Sequence, residues 1–246
     1  MTFGSLTRSL LCTASILALA GAAQAQQSVL APGTTLPIVF PHKIDGAHAH
    51  VGDVVEARTT EAVPLASGGM LPRGARISGH VVQSGEFHFN TAHYAVQQPA
   101  TLAIAFDAVT IGGESVPVHV TVRALADALT TWDAQRPLAS DMDPTGTTTQ
   151  IGGDQVTPRA EEVLSRDGDI VGYKRGSDVY AHLISSGSCP GSTTEQAVGL
   201  FSASACGLYG FEGVSLRQNT NGSFELFSSH YTPKIWRSSV ALLQVE

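Results

Sequence analysis

The chain has 246 residues, of which 14 are Lys or Arg and 21 are Asp or Glu, a formal net charge of −7 at pH 7. An acidic chain with no basic run is a poor match for a phosphate backbone or an anionic lipid surface, so nucleic acid is not an expected partner. Only 14% of the residues are charged while glycine alone numbers 25, a composition that suits an exported β-rich protein better than long helices.

Residues 1–25 read as a signal peptide: Arg8 supplies the positive region, Leu10 to Ala20 the short apolar run, and Ala23-Gln24-Ala25 the small-x-small cleavage pattern. That run is shorter than the ~20 residues of a membrane span, and no later stretch reaches such a length. No transmembrane segment is expected after cleavage, and the mature protein is expected to be periplasmic or secreted. Cys12 is not expected to carry a lipid, because Ser9-Leu10-Leu11 before it lacks the small neighbour such a cysteine needs. Cys189 and Cys206 then remain, an even count in an oxidising compartment, and are expected to pair.

The mature chain reads as all-β. Residues 26–34 form a short lead-in, and from Thr35 Leu36, Ile38 and Phe40 alternate with Pro37 and Val39. Residues 54–82 are the clearest stretch: Val55, Ala57 and Thr59 point one way and Glu56, Arg58 and Thr60 the other, as in a strand with one buried face. The chain turns through Gly68-Gly69 and Leu71-Pro72-Arg73-Gly74, and Ile77, Gly79 and Val81 alternate back, so antiparallel local pairing is predicted. Leu102, Ile104 and Phe106 define a further strand, Gly112-Gly113 a hairpin, and Val116, Val118, Val120 and Val122 an alternating run whose other face puts His119 in solvent. Strands at this spacing predict a small antiparallel barrel or sandwich over residues 26–123.

After Thr121 the period shifts. Val122, Leu125, Ala126, Leu129 and Trp132 fit helical spacing and predict one short helix with Thr121 as its cap. Residues 137–153 are rich in Thr, Gly and Asp and poor in apolar side chains, so 124–160 is expected to be a short helix and linker. Asp167-Gly168 and Asn221-Gly222 are hairpin signals, Val179, Ala181 and Leu183 alternate, and Val240 to Val245 is an apolar strand. Residues 161–246 are thus expected to form a second small β unit stapled by the Cys189–Cys206 pair.

The phrases Gly33 to Ile44, Gly52-Asp53-Val54-Val55-Glu56-Ala57-Arg58 and Leu71-Pro72-Arg73-Gly74-Ala75-Arg76-Ile77-Ser78-Gly79-His80-Val81 resemble the β-barrel domain of the VirB10/TrbI family over residues 33–122. The resemblance implies an envelope-type barrel. This chain departs from the family in having a cleavable export signal where an inner-membrane helix and proline-rich stalk would stand, so the resemblance does not imply a secretion channel. The stretch Phe201 to Phe211 resembles exported bacterial proteins of no assigned function.

Candidate sites are few. Seven of the nine histidines lie between His42 and His119. His48 and His50 face the same way on an extended segment and could share a metal ion with Glu86, His88 and His93 as further ligands; exposed loop histidines are the simpler account. No other cofactor is implied. Phe87, Phe89 and Tyr94 in the polar 84–99 connection could stack on a sugar or peptide, or else cover one barrel end. Trp132 and Trp236 read as core or interface anchors. No catalytic residue is identified: there is no G-x-S-x-G elbow and no S-x-x-K, and the carboxylate pairs Asp141/Asp143 and Asp167/Asp169 sit in the expected linker and a hairpin turn. Asn221-Gly222-Ser223 matches a glycosylation acceptor but is better explained as a turn. The reading that results is an exported bacterial envelope protein, non-enzymatic, recognising an envelope protein or glycan or serving as a structural part. The alternatives are a hydrolase of envelope or extracellular polysaccharide or peptide, and a metal-binding protein using the His-rich loop.

Overall fold

A computed structural model of the chain describes Met1, residues 29–92 and residues 96–246; beyond Met1, the expected signal peptide lies outside the described residues. In chain order β1 (Thr35–Val39), β2 (Ile44–Asp45), β3 (Val54–Thr59), β4 (Val63–Pro64), β5 (Met70–Leu71), β6 (Arg76–Gly85), β7 (Ala100–Ile111), β8 (Glu114–Pro117) and β9 (Val120–Ala126) precede the helix α1 (Ala128–Ala134). After it come β10 (Thr148–Thr149), β11 (Gln155–Val156), β12 (Glu162–Leu164), β13 (Ile170–Arg175), β14 (Asp178–His182) and β15 (Glu195–Ala197). The chain ends with β16 (Gly207–Tyr209), β17 (Ser215–Gln218), β18 (Ser223–Ser228), β19 (Lys234–Ile235) and β20 (Val240–Val245).

Ten strands form one sheet in the order β16-β9-β20-β1-β3-β6-β7-β18-β17, with β8 paired to β7 and only the β16–β9 pair parallel. The sheet curls into a nearly closed barrel. A side chain spans the remaining gap: the Gln218 amide donates to Val122 O at 2.7 Å and accepts from Val122 N–H at 3.5 Å, taking the place of a missing backbone rung. The expected zigzag is present, since β3 pairs antiparallel with β6 and Val55, Ala57, Ile77 and Val81 all point into the core. Phe40 and Phe224 flank Phe106 at 6.3 and 6.1 Å between ring centroids, filling the barrel with aromatic area. Each such ring contributes about 1.5–3 kcal/mol by leaving water. The hairpins at Gly112-Gly113, Gly168 and Gly222 form where expected, each glycine adopting the positive φ that the turn requires.

The region after Thr121 differs from expectation, and the cause is local. The β9–β20 register slips between Leu242 and Leu243, leaving Arg123 as an extra residue in β9. That bulge reverses the strand's parity. Val120 and Val122 face the barrel core before it and Leu125 after it, while Ala124 and Ala126 turn outward into a second core with Ala134, Ile151, Phe201 and Leu242. A step of three from Val122 to Leu125 looks helical in sequence but belongs to a bulged strand. The helix starts only at Ala128 and is capped by Asp127, whose carboxylate accepts the Thr130 N–H at 2.7 Å, and not by Thr121. Leu129 and Trp132, placed by the sequence on its apolar face, are exposed. The Val116–Val122 run is likewise two strands, because after Val118 N–H bonds Asp107 O the chain leaves β7 to join β20.

The second sheet is an antiparallel meander, β10-β11-β12-β13-β14-β15. Its first two strands, Thr148–Thr149 and Gln155–Val156, lie in the region expected to be linker. Asp141, Thr147, Gln150 and Ile151 are buried, and the Asp141 carboxylate accepts the Leu138 N–H at 2.6 Å and the Thr149 hydroxyl. Hydrogen bonds rather than apolar side chains order this segment, so its composition looks like a loop. The strands expected to form one C-terminal unit divide between the sheets: β12 to β15 stay in the meander, whereas β16, β17, β18 and β20 complete the barrel.

The expected disulfide joins Cys189 to Cys206, with Cα atoms 5.9 Å apart at a sequence separation of 17. Closing a loop of that size removes about 3 kcal/mol of chain entropy from the unfolded state. The Cys189→Ser, Cys206→Ser chain is expected to lose that much in a guanidinium titration, and an unchanged midpoint would show the bridge to be thermodynamically idle. Among the described residues no helix is long and apolar enough to cross a membrane.

Candidate functional site: the cleft between barrel and meander

Alternation in β3 does not stop at its last rung. Val55, Ala57, Thr59, Glu61 and Val63 are all buried, so period two carries a carboxyl into the interior. Glu61 accepts the Val179 N–H at 2.9 Å from β14 and the Gly199 N–H at 3.1 Å from the loop after β15, fastening the barrel to the meander. Burial pushes its pKa up from 4.5 to about 8; nearby Asp178 adds to the rise, while the two backbone donors and Arg73 oppose it. Asp178 itself is occupied, with one oxygen 2.7 Å from the Arg73 guanidinium and the other accepting Ala62 N–H at 3.1 Å. The Tyr180 hydroxyl donates to Ala62 O at 2.8 Å, completing the contact between sheets.

Glu61 lies on the wall of a cleft of about 1150 Å³ bounded by the barrel, α1 and the meander. Its apolar surface comes from Val39 and Val240 on the barrel, Leu129 and Trp132 on the helix, and Val156 and Leu200 beyond. Gln150, only 5% exposed, also lines it. The Gln150 amide nitrogen donates to Gly199 O at 2.8 Å, but its Oε1 is buried with no hydrogen-bond partner among the described residues. Gly199, at φ +60°, thus presents its N–H to Glu61 and its carbonyl to Gln150, which places both side chains about one residue of backbone. An orphaned buried acceptor costs about 1–3 kcal/mol, so a donor brought against Gln150 Oε1 would relieve that cost. At the rim Arg237 is exposed and makes no ion pair or hydrogen bond among the described residues. Trp132, half exposed, carries the Arg136 guanidinium 4.0 Å from its ring centre.

The residues singled out by sequence lie elsewhere, at one end of the barrel. The 41–52 and 84–99 segments do meet, with the Ser84 hydroxyl donating to Ala49 O at 2.6 Å, and His48 and Glu86 border a cavity of about 590 Å³ together with Tyr231 and Trp236. His48 leans on Asp45 at 3.4 Å and His50 on Asp53 at 3.7 Å, so the two histidines serve different carboxylates. Burial works to raise the Asp45 pKa, yet Lys43 at 3.0 Å and Lys234 at 3.1 Å outweigh it and hold the carboxylate well below the usual range. Among the described residues no three His, Cys, Asp or Glu side chains are grouped so as to hold a metal ion. His88 is exposed beside a bridge to Gln98, Phe89 is exposed, and Phe87 is half-buried with its N–H on the Thr232 hydroxyl at 2.9 Å. His93 and Tyr94 lie outside the described residues. Trp132 and Trp236, read as anchors, are each about half exposed and line the two cavities.

Glu61 was within reach of sequence reasoning, since it has the parity of Val55 and Ala57. Gln150 was not, because a glutamine at the end of a threonine run carries no signal of burial. Arg237 has no pattern around it that marks it. No family model, no curated protein and no solved structure matches this chain.

Proposed function

We propose that the protein is an exported, non-enzymatic binding protein of the bacterial envelope that holds its ligand in the cleft between barrel and meander. The observation that carries this reading is the buried, unpartnered Oε1 of Gln150 on the wall of a largely apolar cavity of about 1150 Å³. Export is supported by the signal-like pattern of residues 1–25, by the Cys189–Cys206 bridge and by the VirB10/TrbI-like order of residues 33–122.

The test variant is Thr148→Trp, which adds bulk at a lining position. A protein-free, low-molecular-mass extract of the envelope should raise the melting temperature of the wild-type chain and leave the plugged variant unmoved. A ligand at one hundred times its Kd stabilises by about 2.7 kcal/mol, roughly 5–10 °C for a chain of this size. An equal shift in both chains, or none in either, overturns the reading.

One observation favours hydrolysis as a second reading: Glu61 keeps its proton to about pH 8 and so could donate it to a leaving group. Against it, the neighbouring carboxylate, Asp178, is committed to Arg73 and Ala62 and is not free to serve as the second carboxylate that hydrolysis needs. Chromatography of the same extract after incubation separates the readings, since turnover lost in Glu61→Gln would establish the enzyme.

A further inference from the structure

The cleft offers distinct chemistry at its floor and its rim. At the floor stand the Gln150 carbonyl oxygen, an acceptor with no donor, and the Glu61 carboxyl, which is neutral below about pH 8 and can donate. Neither suits an ion, and together they complement a group that has both an N–H and a C=O. At the rim the charge is positive and available: Arg73 is neutralised by Asp178 at 2.7 Å, which leaves Arg237 as the lining cation without an anion. The rest of the lining includes the aliphatic side chains of Val39, Leu200 and Val240 and the Trp132 ring. The volume of about 1150 Å³ lies just above the range of about 300–1,000 Å³ usual for small-molecule sites, enough for several residues of chain.

We propose that the cleft binds the carboxylate end of an extended peptide, with one backbone amide answering Gln150 and Glu61 on the floor and the terminal carboxylate answering Arg237 at the rim. This rests on the cleft being the binding site and adds the class of its ligand. A peptide fits better than a saccharide because aliphatic walls match alternate apolar side chains, whereas a sugar ring would leave hydroxyls unpaired against Val39, Leu200 and Val240. The bond of Arg237 to a carboxylate is charge-assisted and bidentate in its best geometry, which sets the direction of the bound chain.

The protein has two tryptophans, and Trp236 lines the other cavity, so Trp236→Phe leaves Trp132 as the sole reporter of the cleft. Acetyl-Ala-Val-Leu-Ala with a free carboxylate, the same peptide as its carboxamide, and tri-N-acetylchitotriose are titrated into this chain and followed by fluorescence. The free acid is expected to give a saturable change and the carboxamide to bind about 10-fold more weakly, the scale of one charged hydrogen bond. Arg237→Gln, at an exposed and unpartnered position, should bring acid and carboxamide to equal affinity. Gln150→Met should weaken both about 10-fold. Equal affinity for acid and carboxamide in the parent chain overturns the terminal carboxylate. A response to the saccharide alone overturns the peptide while leaving the cleft as the binding site. Silence with all three probes, combined with an extract-induced melting shift that survives Thr148→Trp, overturns the cleft itself.

Discussion

Stability measured between pH 5 and pH 8 is expected to fall by about 3–4 kcal/mol through Glu61 alone. In the folded chain this carboxyl keeps its proton up to about pH 8, whereas the unfolded chain gives it up near 4.5. Across that window the folded state binds more protons than the unfolded state, so raising the pH favours unfolding, at about 1.4 kcal/mol for each pH unit. The contribution is whole below pH 4.5 and gone above pH 8. Burial is the leading cause, and the charged groups facing Glu61 are Asp178, which works with it, and Arg73, which works against it. Glu61→Gln removes the titration. It keeps one acceptor for the Val179 and Gly199 N–H groups and loses the other, so at pH 5 it should be less stable than wild type by about 1–2 kcal/mol. At pH 8 the order should reverse. Asp154 is also shifted upward by burial and contributes a slope of the same sign, which the wild-type-minus-variant difference cancels. Guanidinium titrations at pH 5, 6.5 and 8 give the comparison, and parallel pH profiles for the two chains would show that Glu61 is ionised in the folded protein.

The same residue shows what the sequence made legible. Alternation is a geometric consequence of the pleat, so wherever a strand kept one face dry its side chains announced it: Val55, Ala57, Ile77 and Val81 are core, and glycines 112, 168 and 222 sit at their turns. Alternation also has a failure mode. One extra residue, Arg123, moves the inward set of β9 from even to odd numbers, and a local reader sees a step of three and infers a helix. Barrel closure was invisible for a different reason. β18 and β20 read correctly as strands, but nothing local says that residues 223–228 pair with β7 and residues 240–245 with β1 and β9 across more than a hundred positions. The cleft inherits that blindness. Its lining comes from β3, α1, the 137–153 segment, β14 and the approach to β20, brought together only by those long-range pairings. His48 and His50, which drew attention, share one region of sequence without sharing a ligand, since each sits beside its own aspartate.

Arg123 is also where the second large effect is expected. The bulge turns its side chain out of the barrel and under the disulfide loop, where it is 3% exposed and, among the described residues, pairs with no carboxylate. Its guanidinium donates instead to Ala205 O at 3.1 Å, to Ile184 O at 2.8 Å and to Pro190 O, the first and last being the neighbours of Cys206 and Cys189. Burial lowers its pKa, but a guanidinium stays charged, and three carbonyl dipoles are what offset the cost of keeping it from water. Arg123→Met should cost about 3 kcal/mol. It relieves the desolvation of a charge but strands three carbonyls, each worth about 1–3 kcal/mol when unpaired in a buried site. Arg123→Lys should fare little better, because a single ammonium on a shorter stem cannot reach three acceptors arranged around a planar fork. The bracing role has its own signature. With Cys189 and Cys206 replaced by serine the loop ends are free to find water, so Arg123→Met should then cost at least 1 kcal/mol less than in the bridged chain, a coupling of the size seen between residues that share partners. Additive losses in that double-mutant cycle would mean that the arginine and the disulfide stabilise the loop independently.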